Sequence, residues 1–274
     1  MTDTMTQEGI RALLPEELNS CLRIEILDSA TSTNDYVKQL SSKDGYSYHV
    51  VIADEQTAGK GRRGKVFFSP KGCGVYLSIK IDEPDAEAWF VQGDLSDRHV
   101  QYTQSLTALA ALAVCRSIEQ NTNKEAKIKW PNDVYCEGKK VCGILCESQI
   151  EAYSGKVAAY IAGIGINVYE SRELDKNAQN GGYLANNIEQ GLRNKLAASL
   201  IQEFATLREW GIEEARDAYR HRSMLINQSI IIEYDDSRSV PAHVEDIDNN
   251  FQLIVRYQDG IQDTLEIANY SIKL

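Results

Sequence analysis

Apolar residues recur along this chain in the periods that predict a sheet. They alternate with polar residues over 22–27, and they form nearly continuous runs over 48–53 and 74–81. Two further apolar segments cover 140–147 and 157–167. Alternation is typical of a strand with one solvated face, and short continuous runs are typical of buried strands. The pattern therefore predicts a sheet of at least five strands.

Helical periodicity appears between and after these strands. Residues 102–120 give the clearest helix, and residues 194–210 and 212–221 predict two more. The apolar face of the first helix consists of Leu106, Leu109, Ala110, Ala113, Val114 and Ile118. Its many alanines allow close packing against a sheet. The predicted fold class is α+β, a mixed β-sheet with helices packed on it.

The pattern changes near residue 223. Short strands are predicted at 230–234, 240–247, 251–257 and 261–268, with Asp, Asn and Gly in the turns between them. This arrangement predicts a small all-β module, most simply a barrel. We therefore divide the chain into an N-terminal extension (1–21), a larger domain (22–223) and a C-terminal β-barrel domain (224–274).

Composition narrows the class of protein. The chain has 274 residues, a formal net charge of −11 and 43% hydrophobic residues, values ordinary for a globular protein. The negative charge disfavours nonspecific nucleic-acid binding, which depends on many cationic contacts. Residues 1–15 lack the apolar core of a signal peptide, and no run of about 18 apolar residues predicts a membrane span. We expect a cytoplasmic protein.

A cationic loop follows the strand at 48–53. Within residues 54–65 three glycines alternate with four basic residues: Gly59, Lys60, Gly61, Arg62, Arg63, Gly64 and Lys65. Glycine lets the backbone approach a ligand, and arginine offers a forked donor to carboxylate or phosphate. The glycine spacing matches the dinucleotide pattern, but Pro70 ends the segment before a helix can follow. An anion-binding loop is predicted, with a solvated basic turn as the alternative.

Three other segments have both a chemical and a purely structural interpretation. Pro131 restricts the backbone of Trp130 to an extended conformation. This rigid segment would fix the position of Lys129, whose charge could stabilise negative charge that develops during a reaction. Residues 32–34, Ser-Thr-Asn, either bind a ligand or cap a short helix. Glycines alternate with isoleucines over 163–166, which leaves one sheet face bare for a flat ligand or for tight packing.

Together, in this order, these segments resemble biotin–protein ligases. The matching stretches are Ser32-Thr33-Asn34, Glu55-Gln56-x-x-Gly59-Lys60-Gly61-Arg62-Arg63-Gly64, Lys129-Trp130-Pro131-Asn132-Asp133, Lys140-Val141-x-Gly143-Ile144-Leu145-x-Glu147 and Gly163-Ile164-Gly165-Ile166-Asn167. The resemblance implies a catalytic domain like that of class II aminoacyl-tRNA synthetases, followed by an SH3-like barrel. Residues 1–21 are too few for the DNA-binding domain that some members carry, so a monofunctional form is expected.

The resemblance also implies an activity. Such a ligase activates biotin with ATP and Mg²⁺ as biotinyl-5′-AMP, then transfers biotin to a lysine of a biotin carboxyl carrier protein, such as that of acetyl-CoA carboxylase. Neither DNA nor a membrane is an expected partner, and the sequence is compatible with a monomer or a homodimer. The Mg²⁺ ligands are not identifiable from the sequence.

The resemblance assigns site residues as follows. The catalytic residues are Lys129 and Arg62. The biotin-binding residues are Ser32, Thr33, Asn34, Gln56, Lys60, Gly61, Arg62 and Lys129. The residues for ATP and the adenylate are Arg62, Arg63, Phe67, Asn132, Gly165 and Asn167.

Two alternatives remain at this point. One is a lipoate–protein ligase or octanoyltransferase of the same fold, although the loop from Gly59 to Gly64 favours biotin. The other is a non-catalytic biotin-binding module. The chain departs from the family pattern at Lys60, where arginine is usual, and at Phe67, where some members have tryptophan. Its tail, residues 268–274, departs as well and offers Lys273 where arginine is typical.

Overall fold

The computed structural model describes residues 2–41, 44–82, 98–151, 153–154, 156–171, 181–234, 238–266 and 270–273. Its helices are α1 (Gln7–Arg11), α2 (Glu16–Ser20), α3 (Thr33–Val37), α4 (Arg98–Asn121), α5 (Leu192–Leu207) and α6 (Ile212–Arg222). Its strands are β1 (Leu22–Leu27), β2 (Tyr48–Ala53), β3 (Gly74–Asp82), β4 (Lys127–Lys129), β5 (Asp133–Cys136), β6 (Lys139–Ile150), β7 (Val157–Asn167), β8 (Ser229–Tyr234), β9 (Ser239–Ile247), β10 (Leu253–Tyr257), β11 (Gln262–Leu265) and β12 (Tyr270–Lys273). None of the helices in these ranges has the length and apolar character needed to cross a membrane.

The larger sheet has seven strands in the order β1-β2-β3-β7-β6-β5-β4. Strands β1 and β2 are parallel, and every other neighbouring pair is antiparallel. The five predicted strands are all present, and β1 and β2 have the predicted bounds. The mixed sheet predicted from the hydrophobic pattern is confirmed.

Helices α4 and α5 cover one face of this sheet. The six apolar residues predicted for α4 are all fully buried, but so are Ala111 and Leu112 on its other side. The helix is buried nearly all round because the sheet lies against one side and α5 against the other. Alternate strand residues such as Val50, Leu77 and Ile164 point into this core.

The opposite face of the sheet is only partly covered. The short helix α3 packs on it through Val37, which contacts Val51 and Ile161. Farther along, Gly143 of β6 pairs in register with Gly165 of β7. Because side chains alternate between faces, these glycines leave a shallow space on the face away from α4.

The C-terminal strands form a second, antiparallel sheet of the SH3-like kind, in the order β11-β10-β9-β8-β12. Its core includes Ile232, Val244 and Val255. Strand β12 pairs with β8, and it was not predicted as a strand. The last predicted strand, 261–268, corresponds to β11, and residues 267–268 lie outside the described part of the chain.

The N-terminal segment packs onto the larger domain through Asp3. This carboxylate is 3% exposed. Its oxygens accept hydrogen bonds from the backbone N–H of Gly191 (2.7 Å) and of Arg193 (2.9 Å), and from the hydroxyl of Tyr169 (2.8 Å). Asp3 therefore satisfies N–H groups at the first turn of α5, which would otherwise lack partners.

Arg193 extends this network toward the cationic loop. Its guanidinium donates to the carbonyl oxygens of Asp3 (2.9 Å) and Gly74 (2.8 Å), and to the Asp54 carboxylate (2.6 Å). Asp54 directly follows β2. The buried arginine thus holds the chain where β2 ends and the loop segment begins.

Replacing Asp3 with alanine should lower the free energy of unfolding by about 2 kcal/mol, because the N–H groups of Gly191 and Arg193 lose their acceptor. Urea denaturation measures this change. Alanine at the exposed Glu266 is the control and should change the free energy by less than about 0.5 kcal/mol. Equal losses in the two variants would show that the Asp3 carboxylate contributes nothing to stability.

Candidate active site

The cationic loop is a tight hairpin. Gly61 donates its N–H to the carbonyl of Lys65 (2.7 Å), and Phe67 donates to the carbonyl of Gly59 (2.9 Å). A 3-10 turn at Arg62–Gly64 closes the loop, with Arg63 at φ 57°. An ideal Cβ on Gly59 would lie 2.3 Å from the carbonyl oxygen of Phe67. Gly59 is therefore needed for the chain to fold back on itself.

Two side-chain contacts tie this loop to neighbouring elements. Lys60 forms an ion pair with Asp35 of α3 (2.6 Å). Arg62 Nη1 donates to Asn132 Oδ1 (3.1 Å). Asn132 is itself fixed, since its Nδ2 donates to the carbonyl of Ile144 at 2.8 Å. The loop therefore spans from α3 to the turn between β4 and β5.

That turn is held by Phe251, which lies between β9 and β10, and by Tyr219 of α6. Trp130 donates its indole N–H to the carbonyl of Phe251 (2.7 Å). The Tyr219 hydroxyl donates to the carbonyl of Pro131 (3.1 Å), and the Tyr219 and Phe251 rings meet edge to face. Lys129 immediately precedes this clamped turn, so its position depends on contacts with the second sheet.

A cation-rich cavity lies between the loop, the turn and β12. Its lining contains six cationic side chains: Lys60, Arg62, Arg63, Lys65, Lys129 and Lys140. The one carboxylate among the described lining residues is Asp133, 2.6 Å from Lys140 Nζ. Ser271 and Ile272 contribute a wall from β12. The cavity is suited to bind a polyanion.

Lys140 was not among the predicted site residues. The sequence places it at the start of the strand segment that ends at Glu147, but that pattern suggests no role for its charge. The structure brings it to the cavity through the pairing of β6 with β5. Contact between strands, rather than spacing along the chain, identifies it.

Burial alters the two predicted catalytic cations. Removal from water lowers the pKa of Lys129 below its usual range, and the nearby Asp133 opposes this effect. Burial likewise lowers the pKa of Arg62, although an arginine remains protonated in proteins. A partly desolvated cation interacts more strongly with an incoming anion than a solvated one does.

A smaller, mostly uncharged cleft adjoins this cavity. Its polar lining comes from Ser32, Thr33, Asn34 and Gln56. The backbone N–H of Thr33 donates to Gln56 Oε1 (2.9 Å), which links α3 to the loop segment. Ser32, Thr33 and Asn34 are each at least 96% buried. Apart from Lys60, the described residues that line this cleft are uncharged.

The Phe67 ring forms the wall shared by the two clefts. Phe67, Lys60 and Gly143 line both of them. An ideal Cβ would lie 2.3 Å from the ring at Gly165 and 3.0 Å from it at Gly143. Both glycines therefore make room for this ring, which occupies part of the face that was expected to be bare.

Asn167 is the one predicted site residue that lines neither cleft. Its Nδ2 donates to the carbonyl of Gly182 (3.1 Å). Its Oδ1 is buried and has no hydrogen-bond partner among the described residues. The other predicted residues all line one cleft or both.

The sequence pattern of the biotin/lipoate A/B protein ligase family matches residues 26–167. This range contains both clefts except for the contribution of β12. The chain belongs to this family. Its members are ligases of more than one acyl group, so the family alone does not specify the substrate.

Two named relatives have similar sequences. The bifunctional ligase/repressor BirA of Bacillus subtilis is 40% identical over 141 residues, which cover 52% of this chain and 39% of that protein. The chain thus spans well under two thirds of that relative's length. A biotin–[acetyl-CoA-carboxylase] ligase of Mycobacterium tuberculosis is 28% identical over 241 residues, covering 84% of this chain and 82% of the relative.

Solved structures share the fold. The biotin protein ligase of Aquifex aeolicus in complex with biotin and ATP superposes with a TM-score of 0.69 at 20% identity, over 92% of this chain and 98% of that one. A Helicobacter pylori biotin acetyl-coenzyme A carboxylase synthetase gives a TM-score of 0.55 at 16% identity, over 89% and 99%. The predicted fold class is confirmed.

Replacing Gly165 with alanine should lower the free energy of unfolding by about 1–3 kcal/mol, because the new methyl group collides with the Phe67 ring. Chemical denaturation measures the loss. Alanine at Gly211, where an added Cβ has open space, is the matched control.

A double variant tests the assigned cause. Adding Phe67→Ala to Gly165→Ala removes the collision, so the combined loss should fall short of the summed single losses by about 1 kcal/mol or more. Additive losses would show that the ring does not constrain residue 165.

Proposed function

We propose that this chain is a biotin–protein ligase that makes biotinyl-5′-AMP from biotin and ATP and transfers biotin to a lysine of a biotin carboxyl carrier protein. The observation that carries the proposal is the pair of adjoining clefts. One is lined by uncharged hydrogen-bonding groups and the other by six cations. A substrate with an uncharged ring at one end and a carboxylate at the other suits this pair.

The ureido ring of biotin would occupy the uncharged cleft, against Ser32, Thr33, Asn34 and Gln56. Its acyl chain would pass the Phe67 wall, so that the carboxylate enters the cationic cavity. The Aquifex aeolicus ligase of the same fold was solved with biotin and ATP, which supports placing both ligands here. Gly165 and Asn167 remain proposed adenylate residues.

In the first step a biotin carboxylate oxygen attacks the α-phosphorus of ATP, and the bond to the diphosphate breaks. Negative charge gathers around the α-phosphate, and such reactions depend mainly on positioning and charge neutralisation. Lys129 and Arg62 are the partly buried cations that would supply this neutralisation. Mg²⁺ would accompany ATP and neutralise part of its charge, and Asp133 is the carboxylate among the described cavity residues that would hold it.

In the second step the amine of the carrier lysine attacks the biotinyl carbonyl carbon, and AMP leaves with the electrons of the broken C–O bond. The lysine must lose a proton before or during this attack. The surrounding cations would favour its neutral form, because like charges disfavour an ammonium group. The target is proposed to be the carrier domain of a biotin-dependent carboxylase.

The uncharged cleft argues against the lipoyl alternative. A dithiolane ring or an octanoyl chain offers no N–H donor to its hydroxyl and amide groups. A site built to hydrogen-bond its ligand discriminates strongly against an analogue that leaves those groups unpaired. Biotin, whose ureido ring has two N–H groups and a carbonyl, can satisfy them.

The test is incubation of the chain with ATP, Mg²⁺, biotin and a carboxyl carrier domain, read by the intact mass of the carrier. We expect the gain of one biotinyl group. Lys129→Ala should slow this gain by about 100-fold or more, since a positioned cation is lost. Lys127→Ala, at an exposed lysine of the same strand, should leave the rate unchanged.

If the mass of the carrier increases with lipoate but not with biotin, the chain is a lipoyl ligase and not a biotin ligase. No gain with either acid would leave the non-catalytic interpretation. A full rate in Lys129→Ala would remove the proposed role of that lysine.

A further inference from the structure

A continuous chain of side-chain hydrogen bonds runs beneath the uncharged cleft. Thr33 Oγ1 lies 2.7 Å from Ser78 Oγ, and Ser78 Oγ lies 2.6 Å from Asn34 Oδ1. Asn34 Nδ2 lies 2.7 Å from Glu147 Oε2. We call Thr33, Ser78, Asn34 and Glu147 the cleft chain. Ser78 and Glu147 were assigned no role by the sequence, although Glu147 closes one of its motifs.

The direction of proton donation in the cleft chain follows from the groups that can only accept. The Glu147 carboxylate and the carbonyl of Leu145 both face the Asn34 amide, so that end must be its NH₂ group. Asn34 Oδ1 therefore faces Ser78 and accepts its proton. Ser78 has one proton only, so its short contact with Thr33 is a bond donated by the Thr33 hydroxyl.

This direction decides what the cleft offers a ligand. Once the Thr33 proton points to Ser78, the Thr33 oxygen has lone pairs left to accept a hydrogen bond. A reversed Asn34 amide would donate to Ser78, Ser78 would donate to Thr33, and the Thr33 proton would turn to Gln56 Oε1, which lies 3.1 Å from Thr33 Oγ1. The oxygens of Thr33 and Gln56 would then each have one lone pair fewer to accept an N–H group of a ligand.

We propose that Glu147 is a positioning residue that fixes this direction and so makes the cleft selective for a ring carrying N–H donors, a cyclic urea. The inference rests on the proposed function for the identity of the ligand. Glu147 acts through Asn34, whose amide has no freedom to move toward the sheet, because it lies against Gly163. An ideal Cβ there would be 2.2 Å from Asn34 Oδ1.

Replacing Glu147 with leucine removes the acceptor that orients Asn34. The Michaelis constants for biotin and for desthiobiotin, which keeps the cyclic urea, should both rise about tenfold or more. The Michaelis constant for ATP and the turnover rate at saturating biotin should stay within about twofold. The assay measures the rate of biotin-dependent adenylation through the release of diphosphate.

Two further variants separate orientation from other effects. Glu147→Gln keeps an oxygen that can accept from Asn34, so it should recover most of the biotin affinity. Ser78→Ala breaks the cleft chain at its centre and should raise both biotin constants as Glu147→Leu does. It therefore tests the inference even if the leucine variant does not fold.

The controls are Lys38→Met and Glu151→Leu. Lys38 forms an ion pair with Glu147 at 3.2 Å, so its loss leaves the charge of Glu147 uncompensated without disturbing the Asn34 contact. Glu151 is an exposed carboxylate just beyond β6. Both variants should have the same Michaelis constant for biotin as the parent chain.

Unchanged biotin constants in Glu147→Leu and Ser78→Ala would overturn the inference while leaving the ligase assignment intact. A fall in turnover or a rise in the ATP constant would indicate general disruption and would also overturn it. A parent chain that fails to adenylate biotin would remove the proposed function, and the inference with it.

Discussion

The missing side chains at Gly143, Gly163 and Gly165 are the constraint on which the site depends. All three lie on the same face of two paired strands, β6 and β7. The Phe67 ring and the Asn34 amide descend into the space they leave. Phe67 follows the cationic loop and Asn34 belongs to α3. Both segments therefore pack on the same patch of sheet, where the strands have no side chains. Any larger residue there would push the loop or the helix away and open the two clefts.

The cationic side of the site depends on more distant contacts. Lys129 sits next to a turn that Trp130 ties to the second sheet through Phe251. The loop segment begins at Asp54, which Arg193 connects to Asp3 near the amino terminus. The elements that surround the proposed reaction are therefore positioned by both ends of the described chain. We propose, on this basis, that the three regions divided in the sequence act as one catalytic unit.

The sequence predicted most of the strands because those carry an unbroken apolar or alternating run, and β1 and β2 have the predicted bounds. Strand β12 was missed. It also identified the cations of the loop and Lys129. Helices α1 and α2 were missed because five residues are too few to show a period. Lys140 and Ser78 were missed because their roles come from strand pairing, which local pattern does not specify. The glycine face was recognised, but its occupation by Phe67 depends on how the loop folds back. The assigned roles of the site residues remain predictions.

The central claim is that this chain joins biotin to AMP across the two adjoining clefts. Exchange of labelled diphosphate into ATP tests this step most directly, because it requires no carrier protein and reports only reversible formation of the acyl-adenylate. The account predicts exchange that depends on added biotin and is absent with lipoate or octanoate. Exchange supported by lipoate or octanoate but not by biotin, or no exchange with any of the three acids, would contradict it.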